Sequence, residues 1–312
     1  SSAASDVYKR QPMKKAGFVA LIGEPNAGKS TLLNHFVGSK VSIVTHKVQT
    51  TRTKIRGIVI ENNSQIVFVD TPGLFKPRRR LDRAMVAAAW GGAADADVIV
   101  LLIEANRGVT DGVEKILRDL TKSSEDRIVV LAINKIDKVK SPALLSLTKK
   151  MNELFDFSKT FLISADQGFG TKDLKLWLAE TMPDGPWFYP DDQIADLPLR
   201  MIAAEITREK LTLRLHQELP YQLTVETENW VEKKDGSVRV DQIIYVSRGG
   251  HKGIILGNRG ETIKAISIAA RVELEAFIGQ RVHLFCQIKV REKWLNEAER
   301  YTEMGLDFND GN

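Results

Sequence analysis

Apolar positions along the chain fall into short runs separated by turn signals. Gly17–Gly23 reads GFVALIG, almost without a polar side chain, the pattern of a strand buried on both faces. A glycine-rich turn and the helix-like stretch Lys29–Val37 follow it. Ile55–Asn62 and Gln65–Asp70 read as two strands joined by a turn at Asn62-Asn63-Ser64. Next come strand Asp97–Ile103, helix Asp111–Thr121, strand Arg127–Ile133, helix Pro142–Phe155, strand Thr160–Ser164 and helix Thr171–Met182. Such alternation predicts an α/β unit with a mostly parallel sheet, covered on both faces, that binds ligands at the carboxyl ends of its strands.

Pro183, Pro186, Pro190 and Pro198, with acids between them, break this rhythm and read as a stiff, extended linker. Beyond it the order becomes helix Leu199–Leu215, strand Gln222–Val231, strand Val238–Ser247, loop Arg248–Gly260, helix Glu261–Phe277 and strand Arg281–Val290. That succession predicts a smaller α+β unit. The expected divisions are a disordered extension over 1–13, a first domain over 14–182, a linker over 183–198, a second domain over 199–291 and an acidic helix or tail over 292–312.

Composition adds little to that outline, but charge distribution does. Of 312 residues 43% are hydrophobic and 27% charged, as in ordinary globular chains, and no apolar run reaches the ~20 residues of a membrane-spanning helix. The single cysteine, Cys286, excludes an internal disulfide framework and a cysteine-cluster metal site, and fits a reducing, cytoplasmic setting. The net charge is +5, and residues 198–291 carry 15 basic against 11 acidic side chains, whereas 292–312 carry 2 against 6. A basic block points to an anionic partner.

Gly23-Glu24-Pro25-Asn26-Ala27-Gly28-Lys29-Ser30, with Thr31 next, fits G-x-x-x-x-G-K-[ST] between a strand and a helix. Its backbone N–H groups and the helix start face phosphate, Lys29 places a charge on the β- and γ-phosphates, and Ser30 can ligate Mg²⁺. Asp70-Thr71-Pro72-Gly73 ends another strand, where Asp70 can hold magnesium and the Gly73 N–H can sense a γ-phosphate. Asn134-Lys135-Ile136-Asp137 selects the base: the Asp137 carboxylate accepts from guanine N1–H and its 2-amino group, and adenine offers neither. Asn134 braces the loop, Lys135 can lie along the base, and Ser164-Ala165-Asp166 supplies a backbone N–H for guanine O6.

Ser39–Lys54, rich in Ser, Thr and basic residues, is expected to be mobile and to order around a γ-phosphate through Thr50 or Thr51; Thr51 is preferred for magnesium. Lys29, Thr51 and Gly73 form the expected catalytic set. Leu74 stands where a water-orienting glutamine is common, so hydrolysis should depend on a partner or a cation, and Asn26 can help hold K⁺ between phosphates.

In the second unit Gly257-Asn258-Arg259-Gly260 fits a G-x-x-G loop that clamps nucleic-acid backbone. Arg248, His251, Lys252, Arg259 and Lys264 surround it, and Ile254, Ile255, Ile263, Ile266 and Ile268 offer an apolar floor for bases. Lys76, Arg78, Arg79, Arg80 and Arg83 form a second basic run, either a solvated loop or a contact with RNA or the other domain. Met201, Ile202 and Ile206 are core-like by spacing, and Trp230 and Trp294 suit packing as well as stacking.

These motifs, with Gln49-Thr50-Thr51-Arg52, Arg208-Glu209-Lys210-Leu211, Glu218-Leu219-Pro220-Tyr221 and Ile255 to Gly260, resemble the Era GTPases over about residues 14–306. The chain departs from that pattern at Ala27, where a valine is usual, and at Gly91-Gly92, which should loosen the helix after the Asp-Thr-Pro-Gly loop. The resemblance implies a P-loop GTPase domain followed by a KH type II domain, with GTP or GDP and Mg²⁺ as ligands. It implies binding to the 3′ end of small-subunit ribosomal RNA, assistance in small ribosomal subunit assembly, and peripheral contact with the inner membrane. A monomer is expected. The competing reading is an RNA-binding module in which guanine nucleotide is a structural ligand and hydrolysis is incidental.

Overall fold

The structure is a computed structural model that describes residues 13–45, 55–74, 77, 80–123, 127–216, 219–292, 294, 297–304 and 306–309. The first unit is a six-stranded sheet in the order β2-β3-β1-β4-β5-β6. Its strands are β1 (Lys15–Gly23), β2 (Ile55–Glu61), β3 (Ser64–Asp70), β4 (Val98–Glu104), β5 (Ile128–Asn134) and β6 (Lys159–Leu162). β2 runs antiparallel to β3, and all other pairs are parallel. Its helices are α1 (Lys29–Val37), α2 (Arg80–Ala94), α3 (Asp111–Ser123), α4 (Ser141–Leu154) and α5 (Thr171–Thr181).

The strand order reverses on either side of β1, so the loop after β1 lies at a topological switch point. Val19 and Leu21 join one apolar cluster with α1 and α5; Ala20 and Ile22 join another with α2, α3 and α4. Burial on both faces explains why β1 reads as a continuous apolar run. The glycine pair does not shorten α2, which continues past Gly91 and buried Gly92 to Ala94.

The linker is strapped to the first unit rather than free. Ile58 N–H donates to the Ile194 carbonyl and Asp196 N–H to that of Arg56, which adds a short antiparallel pairing to the outer edge of β2. Buried Gln65 accepts from the N–H groups of Phe188 and Tyr189, and Arg56 bonds Asp196 at 2.9 Å. Covering the edge in this way satisfies backbone groups that an open strand would leave exposed.

The second unit is α6 (Leu199–Arg214), β7 (Leu223–Glu232), β8 (Val238–Val246), α7 (Gly249–Leu256), α8 (Glu261–Ile278) and β9 (Val282–Val290). β7 and β8 are antiparallel, β8 and β9 parallel. Ile202 and Ile206 are buried on α6, whereas Met201 is half-buried. The segment read as a loop, Arg248–Gly260, is mostly α7. Gly249, Gly250 and Gly253 weaken any helical signal there, but Ile255 anchors the helix in the core.

The C-terminal segment contains α9 (Ala298–Glu303) and packs on α2. Trp294, Tyr301, Met304 and Leu306 are buried against Leu81, Ala84 and Met85. Arg80 lies 3.5 Å over the Phe308 ring and donates to its carbonyl. Trp294 is therefore a packing residue, and the acidic composition hides an apolar seam.

Candidate functional site

The loops at the carboxyl ends of β1, β3, β5 and β6 enclose a cavity of about 650 Å³. Pro25, Asn26, Gly28, Lys29, Ser30, Thr31, Gly73, Asn134, Lys135, Asp137, Ser164, Ala165 and Asp166 line it. Gly23, Glu24, Ala27, Asp70, Thr71 and Pro72, also expected at the site, are not among the residues that line it. Asp70 and Thr71 are fully buried, and Thr71 donates to the Leu21 carbonyl. Glu24 accepts from Thr110 at 2.8 Å and so ties the phosphate loop to the start of α3.

Lys29 is buried and donates to the Gly23 and Glu24 carbonyls at 3.1 and 3.0 Å. Burial lowers its pKa to about 8, although Asp70 and Glu24 pull the other way. Ser30 Oγ donates to Asp70 Oδ2 at 2.8 Å. A hydroxyl and one carboxylate suit Mg²⁺, a hard cation that takes its other ligands from water and phosphate. Among the described residues no group of three or more His, Cys, Asp or Glu gathers that could hold a metal alone. Gly73 is required sterically, because a Cβ there would stand 2.9 Å from Pro25 N. Leu74 turns into the core, and its N–H bonds the Gly23 carbonyl.

Asn134 joins three loops: Nδ2 donates to Ala27, and Oδ1 accepts from the N–H groups of Lys135 and Ala165. The Ser164 N–H is given to the Phe169 carbonyl and the Ala165 N–H to Asn134. Asp137 is exposed, and its Oδ1 accepts from Ser164 Oγ at 2.6 Å. Lys135 holds a left-handed backbone, and its ammonium bonds Glu104 at 2.8 Å. Glu104, Arg107 and Lys138 also line the cavity, and no motif marked them.

The segment after α1 differs from expectation. Val41, Ser42, Ile43 and Thr45 are buried, so residues 41–45 are anchored. Thr50 and Thr51 lie outside the described residues, as do Lys76, Arg78 and Arg79. Lys40 bonds Glu209 of α6 and Glu273 of α8, both at 2.6 Å, and Val44 N–H donates to Glu209 at 2.9 Å. Lys210 completes the cluster through both acids. Burial raises the Glu273 pKa, but hydrogen bonds from Lys210 and Lys40 outweigh it and leave the net shift downward.

Gly257, Asn258, Arg259 and Gly260 form the turn between α7 and α8. Gly257 has φ 70°, and a Cβ there would collide with Thr262. Arg248, Lys252, Arg259 and Lys264 are exposed beside it. Burial, then the Arg248 charge, holds half-buried His251 below the ordinary histidine pKa. The apolar floor divides: Ile255 and Ile266 enter the core and Ile263 packs against it, while Ile254 and Ile268 stay exposed.

A family model described as a 50S ribosome-binding GTPase matches residues 18–135, and a KH domain model matches 218–295. GTPase Era of Dinoroseobacter shibae is 70% identical over 299 residues, 96% of this chain and 97% of that protein. The chain belongs to the Era GTPase family. Era of Brucella suis is 60% identical over 94% of both chains. Two solved Era structures each superpose with a TM-score of 0.88 at 35% identity. One, from Aquifex aeolicus, is bound to GDP·AlF4⁻ and covers 93% of this chain and 99% of its own. The other is Era in complex with MgGDPNP and nucleotides 1506–1542 of 16S ribosomal RNA, covering 94% and 99%. The P-loop GTPase domain with its mostly parallel sheet, followed by the KH domain, is the Era architecture. Among the described residues no helix is long and apolar enough to cross a membrane.

Proposed function

We propose that this chain is a GTP-hydrolysing switch that binds the 3′ end of small-subunit ribosomal RNA and assists small ribosomal subunit assembly. Lys29 and the loop N–H groups hold the phosphates, Ser30, Asp70 and Thr51 hold Mg²⁺, and Asp137 with the 164–166 loop reads guanine. Bound magnesium supplies charge stabilisation at the phosphates. Asn26 helps hold K⁺, in place of a catalytic glutamine at Leu74. The RNA backbone is gripped at Gly257–Gly260, with Arg248, His251, Lys252, Arg259 and Lys264 as phosphate partners and Ile254 and Ile268 under the bases. The reading places the protein in the cytoplasm, with peripheral contact at the inner membrane carried by family resemblance alone.

One observation carries the coupling of the two halves: the segment that leaves α1 for the γ-phosphate side is bonded, at Lys40 and Val44, to Glu209 on α6 of the RNA-facing unit. Ordering that segment around GTP must therefore act on α6 and α8. Turnover measured with a 3′-terminal ribosomal RNA fragment tests the reading. Stimulation lost in both Lys29→Ala and Gly257→Asp supports the switch, and GTP binding without stimulated turnover supports a nucleotide used only as a structural ligand.

A further inference from the structure

Ser42 lies outside every motif, yet its surroundings leave its hydroxyl one direction. Asn34 on α1 clamps the backbone: its Oδ1 accepts from Val41 N–H at 3.0 Å and Ser42 N–H at 2.9 Å, and its Nδ2 donates to the Ser42 carbonyl at 2.7 Å. Val41 and Ile43 are buried on either side. Held there, Ser42 Oγ donates to Asp70 Oδ2 at 2.7 Å, and the same oxygen accepts from Ser30 Oγ at 2.8 Å. Both Ser42 and Asp70 are sealed from solvent.

We propose that Ser42 is a positioning residue for the magnesium centre and that Asn34 sets it in place. The terminal torsion of an aspartate is broad, so each added donor narrows the swing of its carboxylate. Two hydroxyls from different elements converging on one oxygen fix the carboxylate plane, and the ion meets an acid already aimed. Partners that orient a metal-holding group in this way are worth about 10–100-fold in metal affinity. The arrangement also makes the start of the switch segment part of the ion's support, two residues from Lys40 and two from Val44, the groups that reach α6. The proposal rests on Asp70 and Ser30 being the magnesium residues.

The test is release of fluorescent GDP from the full chain as free Mg²⁺ is varied, with a parallel measurement in EDTA. Ser42→Ala should need about tenfold more Mg²⁺ to slow release by half, while its rate in EDTA stays within twofold of the unsubstituted chain. Ser42→Thr, which keeps the hydroxyl, should restore most of the Mg²⁺ response, and Asn34→Ala should shift it in the same direction as Ser42→Ala. A Mg²⁺ requirement unchanged in Ser42→Ala, beside a shifted one in Asp70→Asn, overturns the proposal. So does a Ser42→Ala rate raised equally with and without Mg²⁺, which would mark a general defect of the pocket. An unshifted Asp70→Asn overturns the magnesium reading beneath it.

Discussion

Lys40 and Glu209 are separated by 169 residues, and their charged atoms meet at 2.6 Å between the two folded units. Glu209 is almost fully buried, with Lys210 and the Val44 N–H as its other partners. Removing Lys40 leaves those two in place, so the cost is less than that of stripping a buried ion of every partner. A Lys40→Ala/Glu209→Gln double-mutant cycle should give a coupling energy of about 1 kcal/mol. Chemical denaturation measures it, and additivity within error would show that the contact contributes nothing.

Lys29 gives the nucleotide site a pH dependence of known sign. Its pKa in the free protein is about 8, below the ordinary lysine value, because it is buried. Phosphate favours the charged form, so binding takes up a proton, and affinity falls as pH rises through the free-state value. Titration of GDP in EDTA between pH 7 and 9 should show that decline. Lys29→Arg, which stays charged, should flatten it.

The seam between α2 and the C-terminal segment predicts a local stability effect. Trp294 is 1% exposed and packed with Leu81, Met85 and Tyr301. Trp294→Ala should cost about 3–5 kcal/mol in that seam. Hydrogen exchange should quicken in α2 and around α9 while the strands of the second sheet keep their protection.

The cation dependence of turnover tests Asn26. Its side chain is exposed at the cavity, on a left-handed backbone. Turnover should be faster in K⁺ than in Na⁺, and Asn26→Ala should erase most of that difference. Equal rates in the two salts for both proteins would remove potassium from the account.

What the sequence disclosed, and what it hid, follows from how local each signal is. The phosphate loop from Gly23 to Ser30 and the base-reading run from Asn134 to Asp137 are contiguous, and their chemistry can be read residue by residue. β1, β4 and β5 are buried on both faces, so their apolar runs were plain. Glu209 sits in a run that resembles the family, yet its contact stayed hidden, because a glutamate on a helix reads as a solvated charge until Lys40 is brought beside it. α7 was hidden by three glycines, and the apolar seam of the C-terminal segment by the acids between Trp294, Tyr301 and Leu306. Ser42 became visible only once Asn34 and Asp70 stood on either side of it.

Affinity for a single-stranded fragment from the 3′ end of small-subunit ribosomal RNA, compared in the GDPNP, GDP and nucleotide-free states, tests the central claim most directly. The junction at Lys40, Val44 and Glu209 predicts that affinity differs at least about fivefold between the GDPNP and GDP states, and that RNA changes the preference for GDPNP over GDP by the same factor. Equal RNA affinities in all three states would contradict the account.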